Sequence, residues 1–136
     1  GVHIAHDCKI NNNNIFVTQV TLGGHVNILD NVVIGGLSAV IQFVTIGSYS
    51  MIGGMSGIDK NVLPFSLAIG NRAKLRGLNL VGIRRNNFNK DEINKITSIH
   101  ESFINKKINL STNDKVEGIF HEYKSILNEK LGHIQK

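Results

Sequence analysis

Large apolar residues recur at every sixth position through the first part of the chain. They are Ile4, Ile10, Phe16, Leu22, Ile28, Ile34, Val40, Ile46, Ile52 and Ile58. An α-helix would repeat near 3.6 residues and a half-buried strand at about 2, so a period of six predicts a short strand and a bend, repeated. The pattern therefore predicts a hexapeptide-repeat β-solenoid over residues 1–62.

The residue two places before each apolar one lies on the same side of its strand. This second inward position holds mostly small or β-branched residues: Val2, Cys8, Asn14, Val20, Val26, Val32, Ser38, Val44, Ser50 and Ser56. Glycine follows the apolar residue at four places: Gly23, Gly35, Gly47 and Gly53. We expect these glycines to form the sharp bends. We expect Cys8, the single cysteine, to pack as a small hydrophobe, and this position argues against a nucleophilic role.

The sixfold register ends near Pro64, the only proline. The polar, basic, glycine-containing segment 63–88 predicts a connecting loop. Residues 89–136 predict a small helical domain, whose first helix starts at a capping box of Asn89 and Glu92. Asn113 is the expected cap of the second helix and Gly132 its expected end. Apolar stripes follow at helical spacing: Ile93, Ile96, Ile99, Phe103 and Ile104, then Val116, Ile119, Phe120, Tyr123, Ile126, Leu127 and Leu131.

The net charge of +5 is unevenly distributed along the chain. Between Asp59 and Asp91 there is no acid, and the basic residues of this stretch are Lys60, Arg72, Lys74, Arg76, Arg84, Arg85 and Lys90. The stretch predicts an anionic partner, with a solvated basic loop as the alternative. Nucleic acid is not expected, since aromatic interleaving is lacking. No transmembrane segment or signal peptide is visible, which together with the lone cysteine favours a cytoplasmic protein. Because Gly1 is already in repeat phase, we expect N-terminal coils to be missing.

Three six-residue sides make a coil of about 18 residues, so residues that far apart stack in neighbouring coils. His6, Gly24 and Gln42 form one predicted column, and Asp7, His25 and Phe43 form the next. A histidine beside a carboxylate is suited to remove a proton from a hydroxyl. A glycine amide one coil away can stabilise an oxyanion, so the columns predict acyl transfer.

Two other uses of these histidines are open from the residues alone. His3, His6 and His25 would be ordinary solvent-facing residues of the solenoid in the simplest interpretation. The second possible use is a metal site. No two of these three histidines share a column, so no metal is expected.

Several segments together resemble one known family. They are His3-Ile4-Ala5-His6-Asp7-Cys8, Leu22-Gly23-Gly24-His25-Val26, Ile34-Gly35-Gly36, Gln42-Phe43, Gly53-Gly54, Ile69-Gly70-Asn71 and the run from Gly77 to Arg85. With these segments the chain resembles the UDP-N-acetylglucosamine O-acyltransferases of lipid A biosynthesis over essentially its whole length. The resemblance implies a homotrimer of left-handed parallel β-helices with a small C-terminal α-helical domain and active sites between subunits.

The resemblance also implies roles for particular residues. His6 would be the general base that takes the proton from the sugar 3-hydroxyl, Asp7 its orienting partner and Gly24 the oxyanion donor. Substrate-binding roles would fall on His3, His25, Gln42, Gly54, Asn79 and Arg85. The first three would line the sugar and acyl-donor site, the glycine would set acyl-chain length, and the last two would hold the nucleotide or the phosphopantetheine end.

The implied reaction moves a (3R)-hydroxyacyl group from acyl carrier protein to the 3-hydroxyl of UDP-N-acetylglucosamine. The donor is carried on phosphopantetheine and no cofactor is implied; the acidic carrier protein would dock on the basic stretch. The chain departs from the family at Ile41, Val81 and Asn86, where histidine, glutamate and arginine are usual. The alternatives are the N-acyltransferase acting on UDP-3-O-acylglucosamine in the same pathway, and an inactive remnant that only trimerises or binds acyl carrier protein.

Overall fold

The computed structural model describes residues 1–108, 110 and 114–136. Ten two-residue strands occupy the predicted repeat, each ending on the apolar residue of its hexad. They are β1 (His3–Ile4), β2 (Lys9–Ile10), β3 (Ile15–Phe16), β4 (Thr21–Leu22), β5 (Asn27–Ile28), β6 (Val33–Ile34), β7 (Ala39–Val40), β8 (Thr45–Ile46), β9 (Met51–Ile52) and β10 (Gly57–Ile58). The predicted β-solenoid is confirmed.

The strands of successive coils stack into three parallel sheets, in the orders β1-β4-β7-β10, β2-β5-β8 and β3-β6-β9. His3 lies opposite Thr21, and Lys9 lies opposite Asn27. Side chains of one coil therefore reach the backbone 18 residues further on, as Asn14 Oδ1 does in accepting from the Val32 amide at 2.7 Å. The predicted columns are present.

The bends are not formed by the glycines predicted for them. One non-glycine residue in every six has left-handed backbone angles, with φ between 58 and 69°: Asp7, Asn13, Gln19, His25, Asn31, Leu37, Phe43, Tyr49 and Met55. Gly23 and Gly35 serve close packing instead, because a Cβ on Gly23 would lie 2.7 Å from the Gln42 amide nitrogen. The bend residue lies three places after each apolar residue, where asparagine, aspartate and histidine tolerate positive φ better than most.

The segment predicted as a connecting loop, 63–88, contains regular structure. Strand β11 (Ser66–Ile69) extends the third sheet beside β9, β12 (Lys74–Leu78) returns antiparallel to it, and α1 spans Leu80–Arg85. Leu67 lies opposite Met51, so this last coil is shorter than the others and breaks the sixfold register. That break hid the strand from the sequence pattern.

Two longer helices follow. Helix α2 (Lys90–Ile104) begins at the predicted capping box of Asn89 and Glu92. Helix α3 (Lys115–Ile126) is capped by Asp114, whose side chain accepts from the Glu117 amide. The expected cap Asn113 lies outside the described residues. Gly132 ends a short 3-10 turn, Glu129–Leu131, rather than a long helix.

The apolar hexad residues form the solenoid core from Leu22 onward, and Cys8 and Phe16 pack against it. Ile4 and Ile10 remain 45% and 37% exposed, because their coil has a neighbour on one side only. The C-terminal tail covers the opposite end, where Ile134 is buried and its amide donates to the Asn61 carbonyl at 2.9 Å. Among the described residues, no helix is long and apolar enough to cross a membrane.

Candidate active site

The predicted catalytic residues lie at one edge of the solenoid, in the turns that follow β1, β4 and β7. We call residues 5–8, 23–26 and 41–44 the histidine corner. The next edge, formed by the turns after β2, β5 and β8, holds residues 11–14, 29–32 and 47–50, and we call it the packed corner. Both corners have the same backbone path, so their side chains account for the difference between them.

His6 and Asp7 form a hydrogen-bonded pair at the first turn. The His6 Nδ1 atom lies 3.0 Å from Asp7 Oδ2, and both side chains are largely exposed. The hydrogen bond from His6 and then the charge of His25 lower the pKa of Asp7, which keeps it ionised. An ionised carboxylate can only accept, so the His6 proton lies on Nδ1 and the lone pair on Nε2.

His25 connects this pair to the next coil. Its Nε2 atom lies 3.7 Å from the same Asp7 oxygen, and its ring meets the His6 ring edge-on at 5.2 Å. On its other side the ring stacks on Phe43, with centroids 4.9 Å apart and planes 8° from parallel. The three rings therefore form a continuous column along the corner.

Gly24 lies directly beneath the His6 imidazole. A Cβ at this position would lie 2.8 Å from His6 Cε1 and 2.9 Å from Nε2. Such contacts essentially never occur, so any side chain at this position would displace the ring. The absence of a side chain at residue 24 is what permits the His6 ring to lie there.

The Gly24 amide N–H donates no hydrogen bond to any residue that the structure describes. The amides on either side of it are both paired, Gly23 with the Val40 carbonyl at 2.8 Å and His25 with the His6 carbonyl at 3.0 Å. At the equivalent turn position of the packed corner, the Asp30 amide donates to Ser48 Oγ at 3.0 Å. The histidine corner thus leaves a backbone donor next to the His6 ring.

Two further predicted site residues lie near this group in the fold. Gln42 is the exposed third member of the column, and its backbone nitrogen packs on Gly23. His3 is exposed on β1, at the start of the same coil. Cys8 points away from the surface, where its Sγ donates to the Gly23 carbonyl at 3.1 Å, as its predicted packing role requires.

The remaining three lie elsewhere in the chain. Gly54 lies at the edge after β9, where a Cβ would lie 3.4 Å from the Gly36 carbonyl oxygen. Asn79 is buried and caps α1; its Nδ2 donates to the Tyr49 carbonyl at 2.9 Å and its Oδ1 accepts from Gly82. Arg85 is exposed in the last turn of α1. One chain therefore does not gather these three with His6, and their substrate contacts stay predictions.

The end of α3 borders the histidine corner, which the sequence pattern did not indicate. A cavity of about 360 Å³ is lined by Asp7, His25 and Phe43 on one side and by Ile126, Leu127 and Asn128 on the other. Lys9 and Asn27 form its floor on the second sheet. No local signal in the sequence links residues so far apart in the chain.

The seven basic residues of the acid-free stretch are all exposed: Lys60, Arg72, Lys74, Arg76, Arg84, Arg85 and Lys90. Arg72 Nε lies 3.9 Å from Asp59 Oδ2, a long and solvent-exposed contact that contributes little. The stretch therefore presents positive charge to solvent on β12, α1 and the loops around them.

The solenoid and its corner define a class of hexapeptide-repeat protein with a histidine–carboxylate pair at a coil edge. Comparison with known proteins identifies the family within this class. Residues 61–133 match the family model described as UDP-N-acetylglucosamine O-acyltransferase, domain 2. The acyl-[acyl-carrier-protein]–UDP-N-acetylglucosamine O-acyltransferase of Nautilia profundicola is 43% identical over 96% of this chain and 53% of its own length. This chain belongs to the UDP-N-acetylglucosamine O-acyltransferase family.

Solved structures support the same assignment. The UDP-N-acetylglucosamine acyltransferase from Campylobacter jejuni superposes with a TM-score of 0.81 at 33% identity, over 99% of this chain and 56% of that one. The Arabidopsis enzyme gives a TM-score of 0.81 at 33% identity, over 99% and 53%. The predicted left-handed β-helix with C-terminal helices is confirmed. The chain spans about half the length of the relatives it matches.

Proposed function

We propose that this chain carries the catalytic half of an acyltransferase. The reaction moves a (3R)-hydroxyacyl group from the thioester of acyl carrier protein to the 3-hydroxyl of UDP-N-acetylglucosamine, with no cofactor. Support comes from the family assignment and above all from one observation: Nε2 of His6 lies over Gly24, whose amide has no partner among the described residues.

In this proposal His6 is the general base. Its Nε2 takes the proton of the sugar 3-hydroxyl as the oxygen attacks the thioester carbon. The imidazolium that forms carries its second proton on Nδ1, where Asp7 at 3.0 Å stabilises the positive charge. The same proton then passes to the departing thiolate.

Gly24 supplies the oxyanion donor. The tetrahedral intermediate places a negative charge on the former carbonyl oxygen, and a backbone N–H with no competing partner can donate to it. The glycine is buried, and a low-dielectric surrounding strengthens such a bond. His3, His25 and Gln42 flank this point and would orient the sugar and the acyl group.

The assembly completes the site. Because Gly54, Asn79 and Arg85 lie away from His6 within one chain, we propose that a homotrimer brings them to the cleft from a neighbouring subunit. The exposed basic stretch then offers an anion-binding surface for acidic acyl carrier protein. The relatives are about twice as long as this chain, and in this proposal their further coils complete the sugar site.

An acyl-transfer assay tests the function. We would measure transfer from radiolabelled hydroxyacyl carrier protein by the 136-residue chain, alone and fused behind the first half of the Nautilia profundicola relative. The expected result is O-acylation of UDP-N-acetylglucosamine by the fusion, and slower or no reaction by the chain alone.

Two results would contradict the proposal. Acylation of UDP-3-O-acylglucosamine with its free amine, but not of the 3-hydroxyl sugar, would instead identify the N-acyltransferase of the same pathway. No turnover on either sugar by the fusion, with carrier protein still bound, would identify a non-catalytic binding protein.

A further inference from the structure

We propose that His6, Asp7 and His25 also form a binding site for Zn²⁺, and that the cation and catalysis exclude one another. Within the part of the chain that the structure describes, these three are the one group whose nitrogen and carboxylate atoms all lie within 4.8 Å of one another. Two imidazoles and one carboxylate, with a fourth position left to water, are a common zinc ligand set.

The spacing of the donor atoms fits a single tetrahedral ion. Zinc bonds of about 2.0 to 2.1 Å at tetrahedral angles place neighbouring ligand atoms about 3.4 Å apart. Here Asp7 Oδ2 is 3.0 Å from His6 Nδ1 and 3.7 Å from His25 Nε2. The two histidine nitrogens lie within 4.8 Å of each other, and both rings are exposed, so ring rotations that bring these nitrogens to about 3.4 Å would place all three donors at bonding distance.

The ligands are also held in place before any ion arrives. His25 is stacked on Phe43, and His6 lies against Gly24 with no side chain between them. Asp7 projects from a left-handed turn with φ of 59°, a geometry fixed by the coil rather than by a ligand. Such preorganisation reduces the entropy lost on binding.

The sequence-based argument against a metal considered only whether two histidines share a column. His6 and His25 do occupy different columns, but the columns adjoin, and the His25 amide donates to the His6 carbonyl at 3.0 Å. His3, the third histidine weighed for a metal site, is outside the group. Asp7, rather than His3, completes the ligand set.

Bound zinc would prevent His6 from acting as a base, because the ring proton would move from Nδ1 to Nε2. A neutral imidazole bound to the cation through Nδ1 carries its proton on Nε2, so the lone pair that would accept the sugar proton is gone. No proton is gained or lost by His6; the proton moves from one ring nitrogen to the other. This inhibitory consequence rests on the proposed function, whereas the binding of the ion does not.

Titration calorimetry with ZnCl₂ and ¹⁵N imidazole NMR on the 136-residue chain test the site without any substrate. We expect one Zn²⁺ per chain and a shift of the His6 proton from Nδ1 to Nε2. His25→Gln and Asp7→Asn should each weaken binding at least about tenfold. Both side chains are exposed, and a thermal melt would verify that the variants stay folded.

His3→Gln and His121→Gln are the matched controls, since both residues are exposed histidines outside the group. Both should bind Zn²⁺ like the unmodified chain. Absence of saturable binding, binding unaffected by His25→Gln and Asp7→Asn, or binding lost in His3→Gln would each overturn the site. Any of these results would leave the acyl-transfer assay, which contains no zinc, as an independent test of the proposed function.

Discussion

The histidine corner and the packed corner follow the same turn geometry and differ in how their polar groups are used. In the packed corner the Asn12 amide donates to Asp30 Oδ1 at 2.9 Å, and the Asp30 amide donates to Ser48. Its outermost ring, Tyr49, stacks on Phe65 at 5.2 Å and meets Phe88 edge-on. Leu29 of this corner is buried with Ile83 of α1, Ile96 of α2 and Phe120 of α3. The helices therefore cover this corner, and its donors and acceptors stabilise the fold.

The histidine corner has the opposite arrangement. Its rings face solvent, Phe43 is 43% exposed, and the Gly24 amide has no acceptor among the described residues. The same turn geometry thus occurs in two kinds of edge. In the packed corner, side-chain oxygens accept from the turn amides; in the histidine corner, the Gly24 amide is left without such an acceptor among the described residues.

The largest expected effect is on the reaction. In the fusion protein, His6→Ala should lower kcat/KM for transfer to the 3-hydroxyl about 1,000-fold, because the general base is removed. Asn12→Ala is the matched control at the same turn position of the packed corner, and activity should be unchanged. Steady-state kinetics on both variants would check this; comparable rates in the two would contradict the assignment of the base.

The next largest effect is on stability, and here a substitution in the packed corner should matter more than one in the histidine corner. Tyr49→Ala should lower the free energy of unfolding by about 2–3 kcal/mol, since a half-buried ring leaves the aromatic cluster. Phe43→Ala, at the same turn position of the histidine corner, should cost less than about 1 kcal/mol. Urea unfolding measures both, and equal losses would show that the two corners contribute alike.

A methyl group beneath the base should also be damaging. Gly24→Ala should reduce kcat/KM about 100-fold, because the added Cβ would lie 2.9 Å from His6 Nε2 and move the ring. Gly118→Ala is the control: among the described residues, no atom of another part of the fold lies within 4 Å of a Cβ there, and helix α3 should gain slightly in stability. Full activity of Gly24→Ala would refute the close contact.

The smallest effect concerns pH and lies away from both corners. His100 is buried with its Nε2 2.8 Å from Ser66 Oγ, and burial, with a smaller contribution from Lys136, lowers its pKa to about 4. The His100 imidazole therefore binds a proton more readily in the unfolded chain than in the folded one. The stabilisation is therefore complete above about pH 6.5 and is lost as the pH falls toward 4, about 2 kcal/mol between pH 7 and pH 5.

Urea titrations at the two pH values would measure that loss. His100→Gln should reduce the pH dependence, leaving the weaker effect of His133, whose pKa burial also lowers. A variant as pH-sensitive as the unmodified chain would rule out His100 as the source.

The solenoid could be predicted from the sequence because its repeat involves residues only six positions apart. One large apolar residue per side, from Leu22 to Ile58, recurs every six residues and sets the alternation of strand and turn. The columns that bring His6, Gly24 and His25 together follow from the same count. The capping box at Asn89 was readable for the same reason.

Features set by distant contacts were not predictable in this way. Strand β11 lies in a shortened coil and owes its place to pairing with β9. The end of α3 reaches the cavity beside His25 because Phe120 and Tyr123 of this helix pack in a buried cluster with Phe65 and Phe103. The glycines were misassigned because close approach between coils, unlike a bend, leaves no periodic signal.

The position of one proton tests the central claim most directly. In ¹⁵N NMR of the metal-free chain, the neutral form of His6 should carry its proton on Nδ1, with Nε2 unprotonated, and Asp7→Asn should weaken that preference. A proton found on Nε2 would contradict the account, because the imidazole would then have no lone pair above Gly24 with which to accept the proton of a substrate hydroxyl.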